Sequence, residues 1–152
     1  MRLLGPANAE RSRTWLPRFA AQHGVEIRVQ SHLWNTRRAL AVTELARDEG
    51  KLDAFRAAAM DAYWLEGREI ESDAAIAAIA ERAGVAPAAA IAAATAPELL
   101  ARVDAARAEA HALGVSGIPT FFFGDVPLVG CQPYEALARA ARAAGALVRP
   151  RS

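Results

Sequence analysis

Apolar side chains recur along the chain with a helical period up to about residue 114 and with a strand period just after it. Residues 8–23 are predicted as a helix that gathers Trp15, Leu16 and Phe19 on one side, with Pro17 inside it and Gly24 ending it. Val25-Glu26-Ile27-Arg28-Val29 alternates apolar and charged residues, which predicts a half-buried extended segment with 25, 27 and 29 on its apolar face. From Asn35 the period is helical again. Leu40, Ala41 and Leu45 share a face before Gly50, and Phe55, Ala59, Ala62 and Tyr63 continue it up to Gly67, giving two helices joined near Gly50-Lys51. Ser72 or Asp73 caps the next helix, which carries Ile76, Ile79 and Ala83 at core spacing before Gly84. Pro87 opens a short helix through Ala94, because a first-turn proline loses no hydrogen bond. Thr95-Ala96-Pro97-Glu98 then reads as a capping box for a long helix to about Leu113, with Leu99, Leu100, Val103 and Ala106 as its buried stripe.

After Gly114 come Thr120–Phe123, a Gly124-Asp125 pair and Val126–Val129, the pattern of a β-hairpin. Pro127 cannot donate to a ladder, which places its strand at an edge or the residue itself at the strand's start. Pro133 opens a last helix with Leu137 and Ala141 on its inner face and Gly145 at its end. The expected class is α+β and mostly helical.

The composition narrows the function. The chain has 152 residues, 53% of them hydrophobic, and a net charge of +1, enough for one globular domain with a real core. No stretch packs cations and aromatics on one face, so nucleic acid is not an expected partner. Arg2 is followed by only two large apolar residues before Gly5-Pro6, which does not make a secretory signal, and the Ala-rich run from Val85 to Ala96 is broken by Pro87 and too short to span a bilayer. A cytoplasmic protein with no membrane partner is the expectation. A single cysteine, Cys131, excludes an internal disulfide, a multi-thiolate zinc site or a two-cysteine redox centre within these residues. His23, His32 and His111 sit on separate elements without ligand spacing, so no metal is expected.

The order helix, turn, Ile118-Pro119, apolar strand, Gly-Asp turn, edge strand, helix is that of the carboxy-terminal half of a thioredoxin-like fold. An X-Pro bond is the one peptide bond that goes cis cheaply, about 0.5–1 kcal/mol above trans. The segments Gly114-Val115-Ser116-Gly117-Ile118-Pro119-Thr120 and Val129-Gly130-Cys131-Gln132-Pro133-Tyr134-Glu135 resemble the terminal β-β-α signature of the DsbA-like thioredoxin family. Within it the chain is most similar to the branch of FrnE-type dithiol-disulfide isomerases and 2-hydroxychromene-2-carboxylate isomerases. Trp34-Asn35-Thr36-Arg37-Arg38-Ala39-Leu40 resembles the start of that branch's helical insertion, and Ala62-Tyr63-Trp64-Leu65-Glu66-Gly67-Arg68-Glu69-Ile70 resembles its interior motif.

The resemblance implies an incomplete thioredoxin-like fold: 1–30 as a remnant of the amino-terminal half and a linker, 31–114 as the helical insertion, and 115–152 as the terminal β-β-α unit. Leu3-Leu4-Gly5-Pro6 resembles the stretch just after the second strand of that fold, so the Cys-x-x-Cys helix is expected to be missing and the chain to be inactive alone. By resemblance, Ile118, Pro119 and Thr120 bind a thiol or disulfide substrate, peptide or glutathione, with the backbone of Ile118 pairing to it. Cys131 is a candidate thiol, weighed against a partly buried side chain at a strand end. Asn35, Arg37 and Arg38 are candidates to line the groove and hold a carboxylate, weighed against a helix cap and solvated charges. Trp34, Tyr63 and Trp64 are read as core before cavity wall. A glutathione-dependent isomerase or kappa-type glutathione transferase relative, and a non-catalytic binding or scaffold module, are the alternatives. Apolar strands without their usual neighbours also predict self-association through an exposed strand edge.

Overall fold

The computed structural model describes the backbone of residues 6–30 and 32–147 and the side chains of 14–30 and 32–147. Residues 3–5, on which part of the reading of the opening rests, lie outside the described residues. The chain divides into two compact units, 1–105 and 106–152.

In the first unit, α1 (Pro6–Gln22) runs through Pro17 without a break, and Trp15 stacks on Phe19 with ring centroids 4.8 Å apart. It is followed by α2 (Arg37–Asp48), α3 (Leu52–Met60) with a π-helical turn Asp61–Leu65 joined to its end, α4 (Asp73–Arg82), α5 (Pro87–Ala93) and the first part of α6 (Pro97–Ala112), whose residues from 106 on fall in the second unit. The core lies where α2, α3, α4 and α5 pack on one another. It is made of Phe55, Ile76, Val42 and Val85 set among alanines such as Ala41, Ala46, Ala80 and Ala90. Small side chains bring the helix backbones close, and the few large ones fill what remains. Trp34 and Tyr63 pack against this core from its margin, as the sequence reading expected.

Several local expectations are corrected. In Val25–Val29 the alternation holds at Ile27 and Val29, half-buried between exposed Glu26 and Arg28, but Val25 is 47% exposed, and the segment has no ladder partner among the described residues. Alternation alone cannot make a strand where no neighbouring strand supplies hydrogen bonds. Leu40 points outward at 45% exposure, while Ala39, Ala41, Val42 and Ala46 face in, so the buried stripe of α2 runs through its smaller residues. The capping box before α6 does not form. Thr95 Oγ1 donates to Ala92 O at 3.4 Å instead of receiving a helix N–H. Leu99 is buried and Leu100 and Val103 half-buried, but Ala106 is exposed. Ser72 is the cap of α4, its Oγ accepting from Ala75 N at 3.2 Å.

The 25–30 segment instead serves the π-helical turn. A π-turn leaves carbonyls at its end without the usual i+4 donors. Here Glu66 N bonds Asp61 O at 3.0 Å, Arg68 N bonds Ala62 O at 2.8 Å, and Arg28 N bonds Trp64 O at 2.6 Å. Gln30 Nε2 donates to Tyr63 O at 3.2 Å and Arg68 O at 2.7 Å, while its Oε1 accepts from Trp34 Nε1 at 2.9 Å. One amide therefore joins three segments. Gln30→Ala is expected to destabilise the chain by about 1 kcal/mol, since each partly solvated hydrogen bond contributes a modest net amount. Urea unfolding of the two proteins side by side measures it.

In the second unit, β1 (Thr120–Phe123) pairs antiparallel with β2 (Val126–Val129), with Thr120 opposite Val129 and Phe122 opposite Pro127. Gly124 at φ +61° takes the first central position of the two-residue turn, where a side chain would be strained. Then α7 (Tyr134–Ala143) turns Leu137 and Ala141 inward, each half-buried.

The bond from Gly130 N to Pro119 O at 2.7 Å fixes the phase of the ladder. It makes Thr120–Val129 a non-hydrogen-bonded pair, so Phe121–Leu128 and Phe123–Val126 are the hydrogen-bonded ones and Phe122–Pro127 is not. Pro127 thus costs the hairpin no bond. Its missing N–H faces away from β1, the edge placement being one of the two the sequence allowed.

Candidate functional site

The segment Gly117-Ile118-Pro119-Thr120 leads into β1 and is held at three points. Thr120 Oγ1 donates to Gly117 O at 2.6 Å, closing the turn across the proline. Pro119 O accepts from Gly130 N, tying the turn to the end of β2. A Cβ on Gly117 would stand 3.1 Å from Val129 Cγ1, so a residue with no side chain is what lets the turn lie against β2. The Ile118–Pro119 peptide bond is cis. Ile118 itself is 91% exposed, and its N–H and C=O have no hydrogen-bond partner among the described residues. An exposed apolar side chain with an unpaired backbone stands on a rigidly tied turn.

Cys131 comes directly after Gly130. It is exposed, which corrects the partly buried reading: β2 ends at Val129, and the thiol lies past the strand that would have covered it. Gln132 Nε2 reaches back to Val129 O at 2.7 Å. This contact was not read from the sequence; its only signal is an amide three residues after a strand end, next to a proline.

Asn35 and Arg37 lie together in the first unit. Asn35 Oδ1 accepts from Arg37 N at 3.0 Å, and Asn35 N donates to Glu71 Oε2 at 3.1 Å. The Arg37 guanidinium engages Asp104 with both terminal nitrogens, Nη2 to Oδ2 at 2.7 Å, and this hydrogen-bonded partner holds its pKa above the usual arginine value. Arg38 donates through Nη1 to Glu71 O at 2.7 Å and pairs with Asp73 through Nη2. These arginines tie the start of α2 to the start of α4 and to α6.

A second set of charges borders a cleft of about 330 Å³ between the π-turn and α4, floored by Ala62, Ala75, Ala78 and Ile79. Its two arginines are already engaged, Arg82 with Glu66 at 2.7 Å and Arg68 with Glu66 at 3.0 Å. Among the described residues no group of three His, Cys, Asp or Glu is placed to hold a metal ion. No helix among them is long and apolar enough to cross a membrane.

The chemistry these residues offer is recognition by backbone. An unpaired N–H and C=O at the head of a strand are the groups with which an extended segment can be paired. No curated protein matches the chain. The profile of the DSBA-like thioredoxin domain matches residues 5–142, from the first helix through nearly all of α7, and so takes in the helical unit, the Pro119 turn and the hairpin together. The chain belongs to the DSBA-like thioredoxin domain family.

Proposed function

We propose that this chain is the substrate-recognising part of a thiol-disulfide exchange protein and that the 152 residues do not turn over by themselves. The observation that carries the reading is the unpaired backbone of Ile118, exposed at the head of β1 on a turn tied by Thr120 and Gly130. A cysteine-containing peptide in extended form, or glutathione as the smallest such ligand, pairs with Ile118, and Pro119 and Thr120 keep that backbone in place. Reducing a disulfide takes two electrons. A lone thiol such as Cys131 goes no further than a mixed disulfide, and the second thiol has to come from elsewhere. The finer assignment within the family, to FrnE-type isomerases, rests on the motifs around Trp34 and Tyr63.

Two measurements test this. The purified 152-residue chain is expected to leave the rate of insulin reduction by dithiothreitol unchanged, and a rate well above the uncatalysed control overturns the claim of no turnover. A short peptide with a blocked cysteine is expected to bind, and Ile118→Pro, which deletes one recognition N–H, to weaken it about tenfold, the equivalent of one hydrogen bond. Equal binding by both proteins removes Ile118 from the site.

A further inference from the structure

One peptide group at the end of β2 is held at both of its ends. The Val129–Gly130 bond is trans, so the C=O of Val129 and the N–H of Gly130 lie in one plane and point opposite ways. The carbonyl accepts from Gln132 Nε2 at 2.7 Å, and the N–H donates to Pro119 O at 2.7 Å. Gly130, at φ +87°, has no Cβ to resist rotation of that plane, and the nearest atom such a Cβ would meet is Gln132 Nε2 itself, at 4.0 Å. Gln132 in turn is not free to swing. Pro133 after it confines its backbone to extended conformations, and Pro133 O accepts from Ala136 N at 2.9 Å where α7 begins.

The N–H end of this plane reaches the recognition turn. Ile118 lies between two engaged carbonyls, Gly117 O, which accepts from the Thr120 hydroxyl at 2.6 Å, and Pro119 O, which accepts from Gly130 N. The Thr120 bond is local and moves with the turn. The Gly130 bond comes from the far strand, and together with the close approach of Gly117 to Val129 Cγ1 it sets where the turn stands on the hairpin.

We infer that Gln132 is a positioning residue for the recognition backbone of Ile118. It acts through one peptide plane and does not touch the ligand. Its grip on Val129 O keeps the Gly130 N–H aimed at Pro119 O, and a hydrogen bond to the carbonyl end polarises the group and strengthens the donor at the other end. Without the amide the plane turns about Gly130, Pro119 O loses its tie to β2, and the Ile118 N–H and C=O lose their fixed direction. This role rests on the reading of Ile118 proposed above, while the relay from Gln132 through Gly130 to Pro119 is testable in the free chain.

Amide hydrogen exchange of the full chain, followed by NMR without ligand, tests the relay. Gln132→Ala removes the side chain; Gln132→Glu keeps its length but, ionised at pH 7, has no donor. In both, the Gly130 N–H is expected to exchange about fivefold faster, the equivalent of one modest hydrogen bond, with the Leu128 N–H inside the ladder unchanged. A Gly130 rate that stays at the wild-type value overturns the inference. So does a rise that Leu128 shares, which would make Gln132 a general support of the hairpin. The second arm is binding of a short peptide with an S-methylated cysteine, expected to be about fivefold weaker in both variants. Unchanged affinity overturns the positioning role, and so does weaker binding with unaltered Gly130 exchange, which would mean that the side chain meets the ligand directly. If the wild type does not bind the peptide, the reading of Ile118 falls and the role of Gln132 in recognition with it, a failure told apart from the others by a Gly130 rate that still rises in the variants.

Discussion

Phe55→Ala is expected to destabilise the first unit by about 3–5 kcal/mol, the largest effect of any single truncation among the described residues. Phe55 is 1% exposed and the bulkiest of the fully buried side chains. Its cost falls at the upper end of the range for a reason specific to this core. The cluster it belongs to is built mainly of alanines, whose Cβ atoms are fixed to helix backbones and cannot swing into a cavity. A core of leucines and methionines would relax; this one leaves the hole open. Stability of small domains totals only about 5–15 kcal/mol, so the variant should be close to unfolded at 37 °C. Urea unfolding followed by tryptophan fluorescence measures it, with a lower midpoint and an unchanged slope as the expected result. Phe121→Ala in the hairpin, where the side chain is 38% exposed, should cost far less.

Elements whose causes are local were legible in the sequence. Ser72 caps α4 because its hydroxyl needs only the N–H three residues on, and Gly124-Asp125 turns the hairpin because a glycine at positive φ is all the turn requires. The Ile118-Pro119-Thr120 segment stood out for the same reason, a distinctive run of adjacent residues. What the sequence hid depends on partners far along the chain. The 25–29 alternation marked an extended segment but not its partner: Arg28 N and the Gln30 amide are spent on the open carbonyls of a π-turn some 35 residues later. Leu40 looked like core by size, but in an alanine-lined interface the close approach of helices selects the small face and turns the large side chain out. Arg37 and Arg38 read as candidates for a ligand carboxylate; Asp104, Asp73 and Glu71, which engage them, are 33 to 67 residues away. The end of the hairpin shows both cases at once: Pro127 limited β2 to an edge or itself to the strand's start, while the amide of Gln132 that holds Val129 O carries no pattern.

Glu69→Ala is expected to cost about 2 kcal/mol at neutral pH and nothing in strong acid, the loss of charge-assisted hydrogen bonds at a helix start. The Glu69 carboxylate organises the start of α4: Oε2 accepts from Glu71 N at 2.7 Å and Ser72 N at 2.9 Å, and Oε1 accepts from Ser72 Oγ, the group that caps Ala75 N. Partial burial pushes its pKa up, but the hydrogen bonds from Ser72 and Glu71, with the nearby Arg38 charge, pull it further down, and the net result lies below the usual glutamate range. The sign comes from linkage. A carboxyl whose folded pKa is depressed binds its proton more readily in the unfolded chain, so its stabilisation is complete above the unfolded value of about 4.3 and is lost as pH falls through the lower folded value. The difference between wild type and Glu69→Ala should therefore hold constant from pH 7 to about 5 and close below it. Asp48 is also depressed, chiefly by its hydrogen bond from Arg102, but that pair faces solvent and its contribution should fade in high salt. Denaturation midpoints at pH 7, 5 and 3, each at low and high salt, separate the two. A gap between wild type and Glu69→Ala that persists at pH 3 would mean that packing, and not the carboxylate's bonds, is what residue 69 contributes.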